Sequence, residues 1–183
     1  MLKSLLQKAM LSAAVAAACA VPLAAAAQTM NTPAASGLNK ADQKIVVAMA
    51  QANMAEIEAG KLALANAQSA DVKAYAQQMV DDHTKALADV TTLATNKGVA
   101  LPTEVDAKHK AMAARLSKLK GTKFDKMYMQ QAGVKDHKMV HAKLKKDSTT
   151  ATDPEVKALA AKMMPTIEEH LHKATAKPAQ AAK

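Results

Sequence analysis

At 183 residues, with 25 Lys and Arg against 16 Asp and Glu and a formal net charge of +9, the chain is long enough for one domain with a buried core. One Phe, two Tyr and no Trp leave almost nothing to stack on bases, and the lysines are spread along helical segments as a solvated face, so no nucleic-acid partner is expected. The single cysteine excludes an internal disulfide.

The chain opens MLKSLLQKAMLSAAVAAACAVPLAAAAQT. Lys3 and Lys8 form a basic start, Met10–Ala20 is apolar but too short to span a bilayer, and Ala25, Ala26 and Ala27 offer small residues for cleavage. Residues 1–27 therefore read as a secretory signal, which predicts export to the periplasm. The alternative is a lipoprotein signal ending at Cys19, against which Ala16 stands where a larger aliphatic residue is usual. No later segment is apolar enough to span a membrane.

Residues 28–39, QTMNTPAASGLN, read as a flexible leader, with Asn39 as a cap for the first helix and Asp42 in its first turn. That helix runs from about Lys40 to Ala67 on the stripe Ile45, Met49, Ala52, Glu56, Ala59, Ala63. Gly60 permits a close neighbour. Ser69 caps a second helix that ends at Lys97-Gly98, where a left-handed glycine is expected. Its stripe is Val72, Tyr75/Ala76, Met79, Leu87 and Val90, with His83 inside it. After Val99–Pro102, Thr103 is read as the cap of a short helix stopped by Gly121. Thr122 is read as the cap of the next, Lys123–Lys146, with the stripe Phe124, Met127/Tyr128, Gln131, Val134, His137, His141, Leu144. Residues 147–153, DSTTATD, form a polar turn. Pro154 opens a last helix to about Ala176, with the stripe Val156, Leu159/Ala160, Met163, Ile167 and Leu171, His170 inside it, and a bend at Pro165. Residues 177–183 read as a disordered tail.

Nothing alternates with a period of two, so the fold class is all-α. Residues 40–176 are expected to form a four-helix bundle. The long connection before the third main helix, with its short helix, can cross the length of the bundle, as in ferritin-like topology.

The chemistry-bearing residues lie on the inward stripes. Glu56 and His83 are equidistant from the Ser69-Ala70 turn, and His137 and His170 from the Asp153-Pro154 turn. With the two turns at opposite ends, both pairs meet near the middle. Glu56, His83, His137 and His170 are therefore candidate ligands of one transition metal, zinc, copper or iron. Glu58 is an alternative carboxylate and His141 an alternative imidazole. Asp82 and Asp136 precede His83 and His137 and point about 100° away, so they read as flanking groups that support the ligands. His109 and His172 lie off the seams and read as surface residues. Metal-binding imidazoles must be neutral, so affinity is expected to fall below roughly pH 6.5. The ordinary reading is also open: a histidine on an apolar face is often a hydrogen-bonded core residue, and Glu56 a salt-bridge partner. Met79 and Met163 read as core filler rather than as copper ligands. No nucleophile elbow, phosphate loop or paired-carboxylate arrangement points to an enzyme.

The runs MAEIEAGKLALANAQSADVKAYAQQMVDDHTKA, LPTEVDAKHKAMAARLSKLKGTKFDKMYM, VKDHKMVHAKL and MPTIEEHLHKA resemble a family of exported bacterial proteins, domain of unknown function family 4142. The resemblance covers about Ala41–Ala174, including both Asp-His pairs, and implies a ferritin-like fold. Positions three before His83, His137 and His170 are Val80, Val134 and Ile167. The Glu-x-x-His set of di-iron proteins is thus missing, and ferroxidase or oxygenase chemistry is not implied. Two functions follow as expectations: a periplasmic metal-binding bundle for buffering or stress protection, or a non-catalytic structural or interaction module that meets another envelope component.

Overall fold

Apolar residues recurring every three to four positions between polar caps build six α-helices within residues 37–176, the part described in a computed structural model. No strand occurs among the described residues. Residues 1–27, read above as a signal, most of the segment read as a leader, Cys19 and residues 177–183 lie outside them.

Helix α1 (Lys40–Asn66) starts at Asn39, whose side chain accepts from the Ala41 and Asp42 amides. Helix α2 (Ala70–Lys97) starts at Ser69 and ends at Gly98, whose φ of 66° is the left-handed conformation that glycine adopts without strain. The short helix α3 (Ala107–Leu116) begins one turn later than expected. Asp106, not Thr103, is its cap and accepts from the His109 amide. Helix α4 (Gly121–Tyr128) has no side-chain cap, so Thr122 does not serve as one. Helix α5 (His137–Thr150) runs through most of the expected polar turn, because Asp147 is buried and ion-paired to Lys143 at 2.7 Å. Helix α6 (Pro154–Thr175) starts at Asp153, which accepts from the Glu155 and Val156 amides. Leu38, placed in the leader, is buried, and the Gly37 amide donates to the Lys97 carbonyl.

Between α4 and α5 the chain is a π-helix, Met129–Asp136. The expected α-helical stripe fails here. Ala132, Gly133 and Asp136 are buried instead of Gln131 and Val134, since i→i+5 bonding widens each turn and shifts the inward face.

Two carboxylates fix the ends, Asp42 buried and Asp125 half-buried. Asp42 accepts from the Thr152 amide at 3.1 Å, the Asp153 amide at 2.8 Å and the Asn39 side chain at 3.0 Å. This ties the start of α1 to the α5–α6 turn. At the other end Asp125 of α4 accepts from the Gln68 and Ser69 amides, each at 3.0 Å. Lys97, at the end of α2, pairs with Asp153 at 2.9 Å, so residues 98–120 must return along the length of α1, roughly 40 Å. Helix α1 packs mainly on α2, α5 on α6, and α2 on α6. Gly60 lets the first pair close, since a Cβ there would lie 2.8 Å from a Val80 methyl.

Asp42→Ala strands two amides and removes a charge-assisted acceptor, and is expected to cost about 3 kcal/mol in urea unfolding. A loss below about 0.5 kcal/mol, the range of an ordinary surface change, would show that this clasp does not hold the ends together.

The apolar core is in two parts. One gathers Val46, Met49, Val90, Leu144, Val156 and Ile167. The other gathers Ala63, Met79, Leu116, Phe124, Tyr128 and Ala132. Six of the buried polar residues fall between these parts, on four helical stretches: Asn53 and Glu56, His83, Asp136 and His137, and His170. The site is a polar belt across the middle of an apolar interior.

Candidate metal centre

A buried polar group costs free energy unless it is hydrogen-bonded, so the partners of the belt decide its chemistry. His83, His137 and His170 are exposed by only 4%, 1% and 1%. One ring nitrogen from each lies within 4.8 Å of one from each of the others, and no carboxylate oxygen joins that set among the described residues. Ring centroids are 5.3–5.6 Å apart.

The remaining ring nitrogens are each anchored. His83 Nδ1 lies 2.8 Å from Asn53 Oδ1, and the Asn53 amide group donates to the Met49 carbonyl, so the oxygen faces the ring and Nδ1–H is the donor. His137 Nδ1–H donates to the Ala132 carbonyl at 2.7 Å. His170 Nε2–H donates to the Asp82 carboxylate at 3.0 Å. Each ring carries its proton on the anchored side, so His83 Nε2, His137 Nε2 and His170 Nδ1 hold lone pairs. His137 Nε2 and His170 Nδ1 stand 3.2 Å apart, two acceptors with no proton between them. His83 Nε2 is buried with no hydrogen-bond partner.

Protonation is a poor remedy for these facing lone pairs. Burial first, then the neighbouring histidines, push His83 down to about 3. Burial, with a contribution from His170, pushes His137 down to about 4, against the Ala132 bond that raises it. Burial lowers His170 as well, against the Asp82 carboxylate. Burial alone would raise Asp82, but hydrogen bonds from His170 and Gln78 outweigh it and hold the carboxyl below its usual range. Three ring nitrogens this close are a set that could hold a metal ion. Metal-binding histidines characteristically donate their far N–H to a carboxylate or carbonyl, which fixes ring and tautomer, and Asp82, Ala132 and Asn53 supply those acceptors.

The π-helix is what brings His137 in. It returns the Ala132 carbonyl beneath the His137 ring, five residues on, while the His137 amide bonds to Val134.

The other expected ligands lie elsewhere. Glu56 is buried, but it sits 3.7 Å from His137 Nδ1, the anchored side, and does not face His83. The first hairpin turns about Gln68, midway between the end of α1 and the start of α2, so Asn53 rather than Glu56 stands opposite His83. Glu58 is exposed and lines a small cavity with His109 and Asp136, away from the triad. His141 is half-buried and bonds to Glu168 at 2.8 Å. Asp136 is 3.6 Å from Lys108 and makes no bond to an imidazole. Asp82 crosses to α6 and supports His170 rather than its neighbour His83. His109 is half-buried, with Nδ1 3.0 Å from Asp106, while His172 is exposed. The sequence reading missed Asn53. Its signal was an amide in an Ala-rich seam one turn after Met49.

Replacing Asp82 by Ala frees the His170 ring to turn and is expected to weaken metal binding by about 10–100-fold. Calorimetric titration with zinc checks this, and an unchanged affinity would deny Asp82 its supporting role. Glu56 gives a second expectation. Burial, then the Asp136 charge, hold its carboxyl well above the usual range, and its Oε2 has no hydrogen-bond partner. A group whose pKa rises on folding costs stability as pH climbs above its unfolded value. Glu56→Gln cannot ionise and is expected to be more stable than wild type by about 1–3 kcal/mol at pH 7, with the difference vanishing near pH 4. Denaturant midpoints at the two pH values check it. A variant equal to wild type at both would mean that Glu56 is not buried as an acid.

The family model described as "Domain of unknown function (DUF4142)" matches residues 26–176, and the chain belongs to that family. No curated protein and no solved structure matches it.

Proposed function

We propose that this member of the DUF4142 family binds one transition-metal ion through His83, His137 and His170. The carrying observation is that one nitrogen from each of three buried rings lies within 4.8 Å of the others, each ring held by an acceptor. Three neutral imidazoles with no thiolate and no carboxylate suit zinc or copper ahead of iron, whose non-haem oxygenase sites use a carboxylate in the set. The reading extends to the whole chain. The ferritin-like four-helix bundle supplies four seams that meet at mid-height, as in other metal-binding bundles. The basic, apolar and small-residue succession at residues 1–27 supports export to the bacterial periplasm. There the protein serves metal buffering or stress protection.

No helix among the described residues is long and apolar enough to cross a membrane. The alternative, a purely structural or interaction module of the envelope, needs a belt whose polar groups satisfy one another. The unpaired His83 Nε2 and the facing nitrogens of His137 and His170 speak against it.

Elemental analysis of tag-free protein from the envelope fraction tests the proposal. It predicts close to one zinc or copper per chain, retained through dialysis. Metal-free protein that also fails to take up zinc or copper afterwards would overturn it.

A further inference from the structure

Resting on that metal reading, we infer that the bound ion keeps one coordination position for a small exogenous ligand, a solvent-derived hydroxide or another small monoanion. This ligand reaches it through the cleft between α2 and α6.

Among the described residues three imidazoles make up the cluster, and no carboxylate or thiolate joins them. Zinc and cobalt bound by three histidines complete a tetrahedron with a solvent ligand. The two nearest carboxylates touch the wrong side of the rings. Asp82 meets His170 at Nε2, while the lone pair facing the other rings is on Nδ1. Glu56 approaches His137 at Nδ1, while the converging atom is Nε2. Asp82 cannot reach the shared point without giving up the bond that orients His170, and Glu56 stands on the anchored side of His137, 3.7 Å from Nδ1.

A cleft leads toward that point. It measures about 150 Å³ and has Asn53, His83 and His170 at its buried end. Its mouth carries Lys85, Asp89 and Lys162, whose side chains are 79%, 47% and 67% exposed. On the far side of His83 and Asn53 a cavity of only about 30 Å³ has room for no more than one or two waters. The larger opening therefore belongs to the exogenous ligand. A divalent ion on three neutral rings carries its charge into an apolar interior, which favours an anionic fourth donor. Lys85 and Lys162 at the mouth are each paired with an aspartate, at 3.8 Å to Asp82 and 2.8 Å to Asp89, so the entrance itself does not repel an anion. Met163 also lines this cleft, and its thioether is the one internal rival for the open position.

Cobalt(II) is the probe for the site and azide the probe for the open position. The tag-free, full-length protein is loaded with cobalt alone, and its visible spectrum is followed as azide is added. The expected result is an intense four-coordinate cobalt spectrum that changes saturably with one azide per ion. In Thr166→Trp, whose indole narrows the cleft from its exposed wall, azide binds at least tenfold more weakly while cobalt uptake is unchanged. A cobalt spectrum that does not respond to azide would overturn the inference and leave the metal reading standing, with Met163 as the fourth ligand. Failure to bind cobalt would overturn both. An azide response identical in Thr166→Trp would overturn the assigned route.

Discussion

Alanine at His83, His137 or His170 is expected to weaken zinc binding by roughly 100-fold or more, above the 10–100-fold typical of losing a supporting residue. Alanine at His141, His109 or His172 is expected to change it by less than about twofold, within the scatter of a surface substitution. The division follows from placement alone. Each of the first three rings places a nitrogen within 4.8 Å of one from each of the others. The ring of His141 is engaged by Glu168, that of His109 lies against Asp106, and that of His172 faces solvent. Competition against a chromophoric chelator measures all six. The second group separates loss of ligands from loss of histidines in general. Equal affinities across both groups would remove the triad from the account.

The metal-free protein should be acid-sensitive, and zinc should rescue it. In the unfolded chain a histidine takes its proton near pH 6.5. In the fold His83 and His137 resist protonation down to about 3 and 4. Between those limits the unfolded state binds more protons, so stability is full above pH 6.5 and is lost as pH falls toward the folded values. Each ring contributes up to about 1.4 kcal/mol per pH unit in that window. Thermal midpoints should be flat from about pH 7 to 8 and fall steeply from about pH 6 to 4. His83→Leu removes one of the rings and should lessen the slope. Zinc held at about 100 times its dissociation constant should add about 2.7 kcal/mol at pH 7. The depressed values of His83 and His137 move the expected loss of affinity from roughly pH 6.5 further into the acid range. His83 and His137 stay unprotonated further into the acid range, so binding should persist to about pH 5. A metal-free protein with the same midpoint at pH 7 and pH 4.5 would show that the rings are not buried as neutral acceptors.

Much of the frame was legible because it is local. Asn39, Ser69, Gly98 and Pro154 announce helix ends by their own chemistry, and all four sit where the caps and stops are found. His83, His137 and His170 were legible because each falls on an apolar stripe of helical period. What escaped the sequence depends on distant partners. Asp42 is a first-turn acid by its position, yet its bonds run to the amides of Thr152 and Asp153. Asp125 likewise closes the α1–α2 turn from another helix. Nothing local shows either clasp. The π-helix escaped because its extra residue per turn is set by packing. Gly133 lies so close to α6 that a Cβ would meet the Ala174 methyl at 3.1 Å. The exchange of Glu56 for Asn53 opposite His83 came from a small error in the centre of the first turn. On a helix, one turn of displacement replaces a carboxylate by an amide, which changes the expected ligand set from three histidines and a glutamate to three histidines alone.

X-ray absorption at the zinc edge of the loaded protein reads that ligand set. The account predicts a nitrogen shell at about 2.0–2.1 Å with the outer-shell scattering of three imidazole rings and one further light donor. A shell of oxygens with fewer than two imidazoles, or one containing sulfur in place of a ring, would contradict it.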